Sequence, residues 1–570
     1  MKKIALLLTV TMLASFVGCG TTETADTTSE ATTATEAAEE TTADEAEEVV
    51  ATAGGTITFN STSEPPEMNS IVTSSTGSGN VLRHIVDGLV MLDETDTPVP
   101  AVAESWDISE DGLTYTFHLR DDYTWSNGEA VTAHDFVFAW TQLFTAASGA
   151  PYGATWAALI DGATELLNAA DDAAYDAALA EIGYTAVDDY TLEVTLTNPY
   201  PYFLSVCAFY NLYPINEIAY NEMGGLGTYA TEASLICTNG QFTIDEWEHE
   251  SQITLNKSET YPMADETMID TIVFEMISDS STSYNAFVAG EIDIMAATAD
   301  QVTMASASGY NVEAYDDGSC WYFEYQTEVP GLNNANIRKA ITYAIDADIF
   351  IESVIQNDSV VANSFTPPAI NGGTFTETVG EIMDRETYKA DDYAEAKALL
   401  ALGLEEENMT LEDLDLVLIC DDTDTAAKYA AFFQEQLLVN LGLTITVEQM
   451  TYNNRIERME NKDFSIVMAG WGPDYNDPMT FMDLWISGSG NNHTSYASAE
   501  YDALIAAAVV EADADARIAI LIEAEELLME DMPIGPIYNR KTNYLVADGV
   551  EGVVRTAFDD INFRWAYIAE

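Results

Sequence analysis

Nine residues late in the chain, GWGPDYNDP at 470–478, combine side chains suited to holding a small molecule. Gly470 and Gly472 carry no Cβ, so backbone there can approach a ligand closely. Trp471 and Tyr475 offer flat apolar faces, and Asp474 and Asp477 offer negative charge. The same pattern also fits a glycine-proline turn with capping aspartates. No reaction chemistry competes with it. The five histidines, His84, His118, His134, His249 and His493, are scattered, with no HExxH pair for a metal. The sequence contains no GxSxG, no phosphate-cradling glycine loop after a strand, and no P-loop. Asp421, Asp422 and Asp424 follow a strand and read as helix caps, since a calcium site needs a fuller set of oxygen ligands. Without a nucleophile–base pair, the residues point to binding and not to catalysis, with no metal or cofactor.

The loop follows FSIVMAGW, the last strand of an alternating series. DLDLVLIC at 413–420 reads as a near-continuous apolar strand, 426–441 as a helix, LTITVEQM at 443–450 as a strand, and 453–461 as a helix. This βαβαβ order predicts a parallel sheet covered on both faces. In open α/β sheets, ligands bind beyond the carboxyl ends of the strands, where this loop lies. A final helix is expected over 499–531, followed by short apolar strands. Earlier in the chain, TITFN at 56–60 alternates as a strand, and 80–90 is helical. The stretch 106–140 reads as hairpins with Gly112 and Gly128 in the turns, then a helix capped by Thr132 that carries Phe136 and Trp140. TLEVTLTN at 191–198 is a strand. A chain of 570 residues built this way holds at least two α/β bodies.

The formal charge is −78, from 97 acidic and 19 basic side chains. Nucleic acid is excluded as a partner, because phosphate contacts need Lys and Arg clusters. Such a field disfavours anionic ligands and steers neutral or cationic ones; it serves solubility equally, and salt screens it beyond about 10 Å. Lys2 and Lys3 before an apolar run at 4–16 read as an export signal over 1–18. The run is too short for a membrane span, which needs about 20 residues. MLASFVGCG resembles a bacterial lipobox, with Phe16 where leucine is usual, which makes Cys19 the lipidated residue. Dual acylation suffices for stable anchoring. Residues 19–53 then form a disordered acidic tether, since 20–53 contain no Lys, Arg or aromatic residue. No later stretch is long and apolar enough to span a bilayer. Cys207, Cys237, Cys320 and Cys420 are widely spaced, form no metal motif, and fit either disulfides or buried thiols.

Five segments occur in a particular order: VAESWDISEDGLTYTFHLRDDYTWSNGEAVTAHDFVFAW, TNGQFTIDEW, FVAGEIDIM, IRKAITYAID and GWGPDYNDPMTFMDLW. Through them, nearly all of 54–570 resembles the oligopeptide- and dipeptide-binding proteins of bacterial ABC importers, solute-binding protein family 5. The resemblance implies an α/β fold of the periplasmic-binding-protein type (type II, cluster C), a two-lobe clamp with an additional inserted domain. Lobe I is then 54–92, 231–318 and 537–570, the inserted domain 93–230, and lobe III 319–536, with hinges near Ser319 and Pro536.

The resemblance also implies a peptide lying extended between the lobes like an added strand. The carboxylate of Asp474 would hold its free amino terminus, and Gly470, Trp471 and Gly472 would supply main-chain partners. Tyr152 in GAPYGATW would lie beside the ligand, Thr76 would offer backbone from the opposite lobe, and Tyr452 would form an aromatic wall. Where some relatives place arginines near the peptide's carboxyl end, Met459 and Met468 stand, with Arg455 and Arg458 on the same helix as substitutes. The implied partners are a peptide and the permease subunits in the membrane, with ATPase subunits indirectly. The implied setting is a lipid-anchored monomer on the outer face of the cytoplasmic membrane. Other ligands of the same fold are a dipeptide, a nickel complex, haem or an oligosaccharide, and a peptide-sensing receptor would bind in the same way.

Overall fold

Thr56–Asn60 alternates over most of its length, with Ile57 and Phe59 buried and Thr56 and Thr58 more open, and ends on buried Asn60. This computed structural model describes residues 51–52, 54–379, 382–511, 513–558 and 561–569. The expected signal, Cys19 and the tether up to residue 50 lie outside the described residues. Thr56–Asn60 is flanked in parallel by Thr271–Glu275 and Ile294–Ala296. Thr271–Glu275 continues antiparallel into Gln252–Lys257 and Phe242–Glu248. A second parallel set forms from Val417–Asp421 between Thr446–Met450 and Ile466–Trp471.

Two long antiparallel strands join these sets, Asn311–Tyr325 of 15 residues and Ile534–Val546 of 13. Tyr544 to Val546 pair with Ile294–Ala296, and Cys320 to Tyr325 pair with Ile466–Trp471. With Val360–Val361 at the side, eleven strands make one sheet. The expected parallel sheet is therefore part of a mixed one. The βαβαβ run is parallel, but Ile466–Trp471 meets a strand that arrives from far upstream and pairs antiparallel. The register of the long pair shifts between Asp316 and Cys320. Gly318 in that break has φ +67°, and a Cβ there would sit 2.6 Å from Ala557 Cβ and 3.0 Å from Pro473 Cγ. Ser319 lies in this break and Pro536 within Ile534–Val546.

Local capping sets the helices. Thr423 Oγ1 accepts from Ala426 N at 3.1 Å to start Asp424–Leu441, and left-handed Gly442 ends it. The helix expected from 80 begins earlier, as Thr76–Ile85, because the Ser75 side chain caps it. The single helix expected over 499–531 is two, Ala499–Val510 and Ala514–Asp531. Asp513 has extended backbone and its carboxylate accepts from Ala516 N at 2.9 Å, which starts a new helix where the first has ended. Of the short strands expected after it, Val550–Glu551 and Tyr567–Ala569 are present, but the first is the long strand Ile534–Val546, because pairing with a long partner sustains it.

A separate antiparallel sheet runs Ala103–Ile108, Thr114–Leu119, Thr191–Thr195, Tyr184–Asp188. Beside it, Ala133–Leu143 buries Phe136 and Trp140, whose indole N–H donates to Leu212 O at 2.9 Å. Asp135 accepts from Thr132 N at 2.8 Å, closing a capping box. Cys207, Cys237, Cys320 and Cys420 are all free and buried.

One buried knot ties distant segments together. Asp87 accepts from Arg564 Nη2 at 2.6 Å, Tyr261 OH at 2.8 Å and Tyr123 OH at 2.9 Å, and Arg564 Nη1 donates to Tyr261 OH at 2.7 Å. Removing one member strands the other charge without water. Asp87→Ala should cost about 3–5 kcal/mol of unfolding free energy, measured by urea denaturation. A cost of a few tenths would show that the knot adds little.

Candidate binding site

The loop after Ile466–Trp471 is pinned by nearly every polar group it owns. Asp477 receives a two-pronged ion pair from buried Arg517, at 2.7 and 2.8 Å, and accepts from Met479 N at 2.9 Å. Tyr475 is buried, stacks on Tyr202 with centroids 4.3 Å apart, and donates to Asp483 at 3.3 Å. Asn476 accepts from Asn371 N at 2.6 Å. Asp477 and Tyr475, read from the sequence as ligand-facing charge and face, are thus committed inside the protein. A bidentate arginine and a stacked ring use up those surfaces.

Asp474 differs. Its backbone N–H donates to Thr480 Oγ1 at 3.1 Å, which orients the residue. Its carboxylate accepts from Tyr152 OH at 3.2 Å, and among the described residues it forms no ion pair. Burial pushes its pKa up to about 6, against the opposing pull of the Tyr152 hydrogen bond. Burial likewise pushes Asp483 up to about 7, with Asp474 and Asp477 adding to the effect. Burial and the charge of Asp474 also raise the Tyr152 hydroxyl, which keeps it a donor. Arg517 is bonded to Asp477, and among the described residues no ion pair to Asp474 or Asp483 accompanies it, so an added positive group beside Asp474 would be favoured.

Asp474 and Tyr152 lie in a cavity of about 390 Å³. Gly470, Gly472 and Thr76 line it too, so five of the residues named from the sequence converge. Trp471 does not line it; alternation along the strand separates its side chain from the Gly470 position. Tyr452 opens the helix Tyr452–Glu460, and its side chain lies outside the described residues. Arg455 pairs with Asp421 at 2.7 Å and Arg458 with Glu448 at 2.6 Å, and neither lines this cavity.

The sequence reading missed Arg83, Phe209, Trp321 and Arg540 in the cavity wall. Tyr152 is stacked on Trp156 at 5.5 Å and rests against Phe209 at 5.2 Å. Arg540 pairs with Asp317 and lies over the Trp321 ring at 5.3 Å. A Cβ on Gly470 would come 2.7 Å from Trp321 Cε2, so this glycine lets the indole lie against the strand. These residues are hundreds of positions apart, and no local pattern marks them.

The family model "Bacterial extracellular solute-binding proteins, family 5 Middle" matches residues 97–493. The chain is 32% identical to the dipeptide-binding protein DppE of Bacillus subtilis, over 89% of this chain and 91% of that one. It is 32% identical to the oligopeptide-binding protein OppA of the same organism, covering 90% and 92%. Among solved structures, Listeria monocytogenes OppA bound to peptide superimposes with a TM-score of 0.71 at 29% identity, covering 90% of this chain and 99% of that one.

A buried carboxylate with a raised pKa weakens the fold while it is ionised. Asp474→Asn keeps an acceptor for Tyr152 and removes the charge. It should raise unfolding free energy at pH 8 by about 1–3 kcal/mol. The native state holds its proton more tightly than the unfolded chain, so the gain should shrink as pH falls through about 6. Urea titrations at pH 8 and pH 4.5 check both the size and the sign.

Proposed function

The chain belongs to the bacterial extracellular solute-binding proteins of family 5, and on that footing we propose that it captures peptides bearing a free amino terminus and delivers them to the permease of an ABC importer. Its fold is the two-lobe periplasmic-binding-protein clamp. The observation that carries the ligand reading is Asp474, a carboxylate facing a cavity with a tyrosine and, among the described residues, no cation bonded to it. A peptide ammonium supplies the missing charge, and a charge-assisted hydrogen bond is roughly twice as strong as a neutral one. Gly472, where a Cβ would meet nothing within 4 Å, leaves room for peptide backbone beside that anchor, Gly470 contributes through its main chain, and Thr76 and Tyr152 face the cavity from other segments. Trp471 contributes through its main chain.

Lobe I at 54–92, 231–318 and 537–570, with the inserted domain 93–230, and lobe III at 319–536 close on the ligand about hinges near Ser319 and Pro536. Cys19 carries the lipid that holds a monomer at the outer face of the membrane. The protein binds its ligand and does not transform it, and ATP is hydrolysed by the transporter's own subunits.

Calorimetric titration with short peptides, each in free-amine and N-acetylated form, tests this reading. Free-amine peptides should bind, and acetylation should abolish the signal. Asp474→Ala should weaken free-amine peptides by about 2–5 kcal/mol. Affinity should fall as pH drops below about 6, where the empty site takes up a proton. Equal binding of acetylated peptides would remove Asp474 from the role, and binding of a sugar or nickel alone would replace the ligand class.

A further inference from the structure

Behind Trp321 lies a second recess, of about 160 Å³. Its floor is Leu418 and Cys420 from Val417–Asp421 together with Met468 from Ile466–Trp471. Its wall is one face of the helix Asp424–Leu441, where Ala426, Tyr429, Ala430 and Phe433 follow at helical spacing. Trp321 lines both this recess and the larger cavity that holds Asp474. That indole is held in place: it lies against Gly470, stacks on Tyr538 at 6.1 Å and 13°, and has Arg540 over it.

The recess is mostly apolar, with Thr423, Thr425, Asp421 and Arg455 as the polar part of its lining. Its charged groups are matched to each other: Arg455 Nε donates to Asp421 at 2.7 Å, and Arg455 Nη1 rests on Met459 Sδ at 3.1 Å. Burial pushes the Cys420 thiol above its ordinary range. A charged side chain entering here would shed water without gaining a partner. An apolar cavity of about 150 Å³ is large enough for benzene, so this one has room for a phenyl ring. Met468 is flexible enough to adapt to leucine or methionine as well.

Resting on the peptide reading above, we propose that this recess is a side-chain pocket that makes the protein select peptides with one large apolar residue, aromatic by preference, at a fixed distance from the amino terminus. Transfer of such a side chain from water into the recess should be worth about 10- to 100-fold in affinity over alanine. The remaining side chains of the ligand face the larger, mixed cavity and are not selected in this way.

The test uses free-amine tetra-alanine and the four peptides in which phenylalanine replaces alanine at one position, titrated against the protein. Phenylalanine should raise affinity about 10- to 100-fold at one position, and aspartate or lysine at that position should lower it. Two variants then address the recess from different elements: Ala426→Phe fills it from the helix, and Met468→Lys places a charge in it from the strand. In each, the ratio between the phenylalanine and alanine peptides should fall toward one. Thermal melts verify that each variant is folded, and a fold lost in one leaves the other to decide. Peptides that bind with no preference at any position, or a preference that survives in a folded variant, overturn the pocket while leaving the peptide reading intact. If no peptide binds at all, the peptide reading fails and the pocket falls with it.

Discussion

Strands Asn311–Tyr325 and Ile534–Val546 share backbone hydrogen bonds along most of their length, and each end of the pair carries a different parallel set. Neither set reaches the other except through these strands in the sheet order. The pair therefore sets where the Asp474 loop stands relative to the rest of the molecule. At its centre the register shifts, and left-handed Gly318 packs against Pro473 of that loop and against Ala557. A side chain at 318 would collide with both. Part of the cavity wall thus gathers around an interruption in the ladder.

Charge explains why one carboxylate in the cavity matters. With 97 acidic and 19 basic side chains, a cation is the scarce partner. Several of the arginines are used inside: Arg564 on Asp87, Arg517 on Asp477, and Arg338 and Arg385 on main-chain carbonyls. Each buries a charge that is tolerable only because it is bonded. Against that pattern, a carboxylate held by Tyr152 and raised in pKa is a local cost to the fold that a nearby cation would relieve. The apolar recess beyond Trp321 is the complement, with its charges already paired and its walls suited to a side chain.

Elements defined by neighbours in the chain were legible beforehand. Thr56–Asn60 and Thr191–Thr195 follow from alternation, and Ala133–Leu143 from Thr132 and Asp135. Local pattern misleads where long-range contacts override it. The stretch 499–531 has helical composition throughout, yet the Asp513 cap divides it, with Arg517 Nε bonded across the break to Ala508 O at 3.1 Å. Ile534–Val546 has no reason of its own to extend so far; its partner strand supplies one. The antiparallel edge of the βαβαβ unit was hidden because the strand beside it comes from far earlier in the chain.

The sequence alone determined the chemistry on offer at 470–478: close backbone approach at two glycines, two aromatic faces and two aspartates in one loop. It also determined the acidic setting and the order of most elements, because periodicity and capping are written in adjacent residues. Only the tertiary structure decided which aspartate is available. By residue type and spacing alone Asp474 and Asp477 read alike, and only the family resemblance singles out Asp474; in the fold Arg517, 40 residues beyond Asp477, reaches one and leaves the other beside Tyr152, 322 residues away. Such a choice depends on which distant side chains the folded sheet brings within a few ångströms, and a linear pattern carries no measure of that distance.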